Sequence, residues 1–156
     1  MGQRQLESIF CDDIRHEVGG KVSYIGVYNG QMWALEFPIT LPKLCVGFKL
    51  VIPNEKPIEG FKVTVMRDDS VIHEMEITGL PDPRHLESVK QKTEQGIETI
   101  SSFQNGVVFS PFLVEEPCTI RLRVSTSDGD LLKATALIIG YPPPEFAPPP
   151  TESIEG

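Results

Sequence analysis

The sequence predicts an all-β protein: a single antiparallel β-sandwich, immunoglobulin-like or C2-like, with eight or nine strands and one short inserted helix. Two observations support this prediction. Short segments in which apolar and polar residues alternate recur along the chain, as in strands that bury one face and expose the other. Turn residues separate these segments every eight to twelve positions, which is the spacing found in sandwich folds.

The clearest alternating segment is 119–126. Its residues Ile120, Leu122 and Val124 fall on one face and its polar residues on the other, because side chains along a strand alternate with a period of two. The same reasoning identifies the other strands. In chain order the candidate strands lie at 6–14, 21–28, 31–37, 44–52, 61–66, 71–77, 107–113, 118–126 and 130–139.

Turn residues predict that several of these strands form hairpins. Asn29-Gly30 is the strongest such signal, since both central positions of a type I′ turn need positive φ. It is expected to join 21–28 to 31–37 directly. The other turns are predicted at 19–20, at 68–70, at 105–106 after a short segment at 100–103, and at 127–129.

One segment breaks the strand pattern. Asp82 followed by Pro83 resembles a helix N-cap and first helical position. The residues that follow include only Leu86 and Val89 as clear apolar positions. We therefore predict a short, exposed helix at 83–95, inserted between two strands, and a mobile loop is the alternative interpretation.

The composition excludes some classes of partner. The chain of 156 residues has 22 acidic and 14 basic residues and a net charge of −8. Nucleic-acid binding needs a dense basic surface, and so does binding to anionic membranes, so we expect neither. The partner is expected to be a protein, or a second copy of the same chain.

The cysteines predict no metal site and no cofactor. Cys11, Cys45 and Cys118 are far apart in sequence and form no CxxC pair, so a structural zinc site is not expected. Each lies in a strand candidate and is interpreted as a small buried thiol of a reducing compartment.

The N-terminal residues 1–7 lack the apolar stretch of a signal peptide, and no run of apolar residues is long enough to span a membrane. The expected location is therefore cytoplasmic. A phage-encoded protein made in a bacterial cytoplasm would have the same features.

The densest polar cluster of the sequence supplies candidate binding residues: Asp12, Asp13, Arg15 and His16. Adjacent carboxylates can bind a metal ion or share a proton. However, neighbouring residues of a strand point to opposite faces, so Asp12 and Asp13 would line one site only if the strand were bulged. A structural role at a strand end is the competing interpretation.

Aspartates at two predicted turns support an alternative, a calcium-dependent binding module. Asp68 and Asp69 occupy one turn, and Asp128 and Asp130 occupy another. The four carboxylates would bind one calcium ion only if both hairpins ended at the same rim of the sandwich. Turn chemistry by itself also explains aspartate at these positions.

The domain is expected to span 1–140, and 141–156 is expected to be a flexible, Pro-rich tail. Proline has no backbone donor for a sheet, so this segment should adopt polyproline II conformation. Tyr141 and Phe146 within it are candidate binding residues, because an aromatic, Pro-rich segment can dock into a groove of a partner. A simple tether is the other interpretation.

No motif predicts an enzyme. The segment Gly19-Gly20-Lys21 lacks the Ser or Thr of a phosphate-binding loop, and no serine lies in a G-x-S-x-G turn. The three histidines are far apart in sequence and fall in different elements. We therefore predict no catalytic residues.

Segment 10–17, with the sequence F-C-D-D-I-R-H-E, and segment 20–28, which begins G-K-V-S, resemble the opening of an uncharacterised bacterial and phage-associated domain family. The resemblance covers most of the chain up to about Gly140, although the distinctive residues lie in the first thirty. It implies a β-sandwich in a bacterial or phage setting and assigns no activity. The Pro-rich tail is not part of it.

Taken together, these features favour a non-catalytic protein-interaction module. An alternative is a phage accessory or virion assembly component, in which the sandwich would self-associate. The second alternative is the calcium-dependent module described above.

Overall fold

The computed structural model confirms the predicted all-β sandwich with one inserted helix. It describes residues 2–80, 83–96 and 100–146, with the backbone alone for 83–86. Within these residues the chain forms twelve strands, because four segments of only three residues also pair as strands. Three of these short segments overlap the predicted strands 31–37, 107–113 and 130–139, and the fourth, 39–41, lies where no strand was predicted.

The longest strands belong to the segments with the clearest alternation. The helix α1 spans Pro83–Glu94, close to the predicted range, and one turn of 3-10 helix spans Pro144–Phe146. The strands are β1 (Gln5–His16), β2 (Val22–Val27), β3 (Gln31–Trp33), β4 (Ile39–Leu41), β5 (Leu44–Pro53), β6 (Phe61–Arg67), β7 (Ser70–Ile77), β8 (Ile100–Phe109), β9 (Phe112–Val114), β10 (Cys118–Thr126), β11 (Leu131–Lys133) and β12 (Leu137–Gly140). Among the described residues, no helix has the length and apolar character needed to cross a bilayer.

One layer of the sandwich, sheet A, has the strand order β2-β1-β5-β8, and every neighbouring pair is antiparallel. The register places Phe10, Val46 and Val107 in one row across β1, β5 and β8. All three side chains are buried, so the row marks the inner face of the sheet.

The second layer, sheet B, has the order β3-β12-β10-β6-β7, and β11 pairs with β10 beyond the end of β12. Its pairs are antiparallel except for β12 and β3, which run parallel. Val63 and Val124 lie opposite each other on the inner face, while Thr64 and Arg123 lie opposite each other on the outer face. The alternation of β10 therefore places its apolar residues in the core, as predicted.

The core lies between the two sheets. A third sheet, formed by the short strands β4 and β9, adds to it: Phe112 and Val114 are buried, and Ile39 and Leu41 pack against the same cluster. The twelve largest fully buried side chains are Phe48, Leu44, Leu50, Ile120, Leu122, Leu137, Ile139, Val46, Val63, Val65, Val114 and Val124. Burial of this apolar surface is the main favourable contribution to folding.

Two of the predicted hairpin turns are confirmed. The turn at 68–70 joins β6 to β7, with Asp68 at a positive φ of 49°. The turn at 127–129 joins β10 to β11, with Gly129 at a φ of 97°. The prediction of a turn at 19–20 also holds, since these residues link β1 to its partner β2.

Two other hairpin predictions are wrong. Asn29-Gly30 does not join paired strands: β2 pairs with β1 in sheet A, and β3 pairs with β12 in sheet B, so the chain changes layer there. Asn105 and Gly106 lie inside β8, opposite Phe48 and Gly47. The glycine at 106 is explained by packing, because a Cβ there would lie 2.7 Å from Ile14 Cδ1.

Candidate functional site

The predicted polar cluster lies where β1 leaves its neighbour β5. The two strands pair as far as Cys11, and the next residues of β1 pair only with β2. Asp13 Oδ1 accepts a hydrogen bond from Lys43 Nζ at 2.8 Å, and Oδ2 accepts one from Arg15 Nε at 3.3 Å. Both cations, Lys43 most strongly, lower the pKa of the Asp13 carboxyl below its usual range.

Asp12 has different partners from Asp13. Its Oδ1 accepts a hydrogen bond from the hydroxyl of Tyr28 at 2.9 Å, and its side chain occupies the space beside Gly26, which has a φ of 66°. Burial, followed by the hydrogen bond to Asp12, raises the pKa of Tyr28 to about 12. The hydroxyl therefore remains a donor at neutral pH.

The structure thus brings together three of the four predicted residues of this cluster in two separate contacts. Asp13 and Arg15 share one, and Asp12 belongs to the other. His16 is the exposed last residue of β1. Asp12 joins β1 to Tyr28, the residue after β2, and Asp13 joins β1 to Lys43, the residue before β5. These contacts account for a structural role of the two aspartates. A role of the cluster in binding stays a prediction.

Two thiols lie beside this cluster. Cys11 and Cys45 are directly opposite each other on β1 and β5, and both are buried and unbridged. Burial raises the pKa of the Cys11 thiol to about 11, and burial also raises the pKa of Cys45. A thiol with a raised pKa is a poor nucleophile, because the thiolate is the reactive form.

The candidate calcium ligands lie at two different ends of the sandwich. Asp68 lies beside Thr119, at the start of β10, whereas Asp128 and Asp130 follow Thr126 at its end. Nine residues of β10 separate the two turns, which corresponds to about 30 Å. The two pairs of aspartates therefore do not converge on one rim.

Asp128 and Asp130 instead hold the N-terminal segment. Arg4 donates hydrogen bonds to Asp128 Oδ1 and Oδ2 at 2.7 and 2.6 Å and to Asp130 Oδ2 at 2.7 Å. The Arg4 side chain is only 6% exposed. This guanidinium, followed by a hydrogen bond from Thr126, lowers the pKa of Asp128 far below its usual range. In the described part of the chain, no three His, Cys, Asp or Glu residues are grouped as a metal site.

The tail residues Tyr141 and Phe146 both contact rings of the sandwich. The rings of Phe146 and Trp33 have centroids 4.9 Å apart, and the rings of Tyr141 and Phe37 have centroids 5.1 Å apart and meet edge to face. The 3-10 turn at 144–146 directs the chain back toward β3. The rest of the predicted tail, 147–156, lies outside the described residues.

The ring contact between Trp33 and Phe146 builds an apolar surface at the border of sheet B together with Ile138, and we call these three residues the aromatic edge. The parallel register of β3 and β12 places Trp33 opposite Gly140, and the next outward residue of β12 is Ile138. Because Gly140 has no side chain, the outer face is open beside the indole. All three side chains of the aromatic edge are 42% to 61% exposed.

Sequence reasoning named Tyr141 and Phe146 as candidate binding residues but did not single out Trp33 or Ile138. In the sequence, Trp33 is a single aromatic residue in a strand, and Ile138 belongs to an apolar run that looks fully buried. The register of β3 against β12 brings them together across about 100 residues. No local signal could have predicted that pairing.

Comparison with known proteins identifies no relative. No family model, no curated protein and no solved structure matches this chain.

Proposed function

We propose that this chain is a non-catalytic protein-interaction module of a bacterium or a phage, and that it binds its partner through the aromatic edge. The observation that carries the proposal is the gathering of three large apolar side chains, each 42% to 61% exposed, at one border of sheet B. Exposing apolar surface to water costs free energy, and clustered exposed apolar residues therefore mark interaction sites.

The composition of the aromatic edge supports a protein partner. Trp is enriched among the residues that dominate binding energy at protein interfaces, and Phe is enriched in such interfaces generally. Trp33 and Ile138 belong to strands, and a ring contact with Trp33 holds Phe146 against the sandwich. A surface built on such elements loses little conformational entropy when a partner binds.

The net charge and the resemblance support the rest of the proposal. A chain with a net charge of −8 is repelled by nucleic acids and by anionic membranes, which favours protein as the partner. The bacterial or phage setting rests on the resemblance of the segments at 10–17 and 20–28.

A matched pair of variants tests the proposal. Ile138 on sheet B and Val108 on sheet A are both β-branched residues that are 53% exposed. A photo-crosslinking amino acid placed at 138 should form a discrete adduct with one protein in a bacterial lysate. The same amino acid placed at 108 should form none, and the Trp33→Ser substitution should remove the adduct formed at 138.

Adducts of equal yield at 138 and 108, or an adduct that survives Trp33→Ser, would contradict binding through the aromatic edge. The mass of the adduct separates this function from the alternative. An adduct with twice the mass of the chain, together with a defined oligomer in light scattering, would identify a self-associating assembly component instead.

A further inference from the structure

Three cations form a row on the outer face of sheet B, which we call the cationic row: Arg121, Arg123 and Lys133. Arg123 and Lys133 lie directly opposite each other on β10 and β11. Arg121 precedes Arg123 by two residues on β10 and therefore points to the same face. The apolar residues between them are buried on the inner face.

No carboxylate of the described residues pairs with the cationic row. Among the described residues, no Asp or Glu oxygen lies within 4.0 Å of a side-chain nitrogen of any of the three cations. On the same face, by contrast, Lys62 pairs with Glu74 at 3.2 Å. The Nε atom of Arg123 is shielded from solvent and has no acceptor within the described chain.

This arrangement is unfavourable for the isolated protein. Like charges directly opposite each other on neighbouring strands destabilise a sheet. A general excess of basic residues does not explain them, since the chain has 22 acidic and only 14 basic residues. An anion bound across the cationic row would remove the repulsion and supply acceptors to the guanidinium groups.

The cationic row lies beside the aromatic edge. Ile138 is directly opposite Thr119 on β10, and Arg121 is the next residue of β10 that points outward. Diagonal neighbours of this kind are within reach of long side chains. One extended ligand could therefore contact both surfaces.

We infer that the cationic row binds the carboxylates of an acidic segment of the protein partner, while an apolar side chain of the same segment contacts the aromatic edge. The inference rests on the proposed interaction function and adds the chemistry of the partner. Guanidinium groups match carboxylates in a bidentate geometry, which favours arginine at such a site. Nucleic acid fits less well, since three cations cover few phosphates and the rest of the chain is acidic.

A binding assay with defined peptides tests this inference on the full chain. The probe is a short fluorescein-labelled peptide that alternates glutamate and leucine, and the control peptide alternates glutamine and leucine. We expect the glutamate peptide to bind, more weakly as salt is added, and the glutamine peptide to bind at least about tenfold more weakly.

A pair of double variants localises the site. Arg121→Gln with Arg123→Gln should weaken binding of the glutamate peptide by at least about tenfold. The control, Lys49→Gln with Lys90→Gln, removes the same charge from exposed lysines of sheet A and α1 and should change binding little. Equal weakening in both pairs, or no binding to the unsubstituted chain, would overturn the inference.

Two further experiments test whether a ligand other than an acidic segment of the partner binds the cationic row. Inorganic pyrophosphate that displaced the peptide at lower concentrations than free glutamate would show a phosphate site and overturn the inference. The second experiment uses a chain that ends at Phe146. If this chain bound the peptide about tenfold more tightly than the full chain, residues 147–156 would compete for the cationic row, and the inference would be overturned.

The inference and the proposed function fail separately. A crosslinked adduct at 138 that persists when both arginines are replaced would leave the interaction function standing without the acidic segment. Peptide binding with no adduct at 138 would support the cationic row and contradict the proposed route of partner binding.

Discussion

Gly47 and Gly106 lie opposite each other on β5 and β8, beneath side chains of the β1–β2 hairpin. A Cβ at Gly47 would lie 2.8 Å from Tyr24 Cε1, and one at Gly106 would lie 2.7 Å from Ile14 Cδ1. The Tyr24 hydroxyl also accepts a hydrogen bond from Gln104 Nε2 at 2.6 Å. The two glycines therefore make the space in which this hairpin packs on the outer face of sheet A.

We predict that Gly47→Ala destabilises the fold by about 1–3 kcal/mol, because the Tyr24 ring must shift and overpacking carries this cost. Gly140→Ala is the control, since no atom lies within 4 Å of a Cβ built there. Chemical denaturation measures both. An unchanged midpoint for Gly47→Ala would show that the ring moves without cost.

Cys11 should react slowly with a thiol reagent at pH 8, because burial raises its pKa to about 11 and leaves little thiolate. All three cysteines should react rapidly once the chain is unfolded in denaturant. The kinetics of labelling, followed by mass spectrometry of peptides, measure each site. Labelling of Cys11 in the folded protein at the rate of the unfolded chain would contradict the burial.

At the scale of elements, one short strand and one short turn position the aromatic edge. β3 has only three residues, yet its parallel pairing with β12 places Trp33 at the border of sheet B. The 3-10 turn at 144–146 then brings Phe146 onto the indole. The strand at 31–37 was predicted, but its pairing with β12 and the turn at 144–146 were not, so the aromatic edge depends on tertiary contacts that the sequence does not show.

The fluorescence of Trp33, the only tryptophan, reports on this arrangement. We predict that Phe146→Ala shifts the emission to longer wavelength and increases quenching by acrylamide, since the indole loses a covering ring. Tyr141→Ala is the control, because Tyr141 contacts Phe37 instead. Identical spectra for Phe146→Ala and the unsubstituted protein would mean that the ring contact is not populated in solution.

At the scale of the whole molecule, charge is distributed unevenly. The net charge is −8, yet the outer face of sheet B carries the cationic row, and carboxylates at two ends of the chain are held by cations. Asp13 and Asp128 both have lowered pKa values, caused first by Lys43 and by Arg4 respectively. These contacts join distant parts of the chain, so they link protonation to global stability.

The sign of this linkage predicts the acid limb of stability. A carboxyl whose pKa is lower in the folded than in the unfolded state stabilises the fold above the unfolded value, about 3.9, and this contribution is lost as pH falls. Asp128→Asn should therefore lower the melting temperature by a few degrees at pH 7. The difference from the unsubstituted protein should shrink below about pH 4.

Asp69→Asn is the control for this experiment, since Asp69 is an exposed residue of the β6–β7 turn. It should leave the melting temperature unchanged at both pH values. Thermal melting at a series of pH values measures both variants. A difference for Asp128→Asn that stayed constant down to pH 2 would contradict an ionic contribution from the contact with Arg4.

Several features of the fold and the surface could be predicted from the sequence. The alternation in 119–126 predicted a half-buried strand, and β10 has that pattern. Asp82 and Pro83 predicted a helix start; α1 begins at Pro83, while the predicted N-cap Asp82 lies outside the described residues. Asn29-Gly30 and Asn105-Gly106 led to wrong predictions of hairpin turns. In the sequence, a glycine that permits close packing or a change of layer cannot be distinguished from a glycine that permits a turn.

The sequence by itself determined the all-β class, the helix and the turns at 68–70 and 127–129, because these depend on periodicity and turn chemistry within a few residues. Only the tertiary structure decided which strands pair. It placed Trp33 opposite Gly140 and Lys133 opposite Arg123, and it separated Asp68 from Asp128. Strand pairing is a choice among distant segments of similar apolar pattern, and the packing of the whole core settles it.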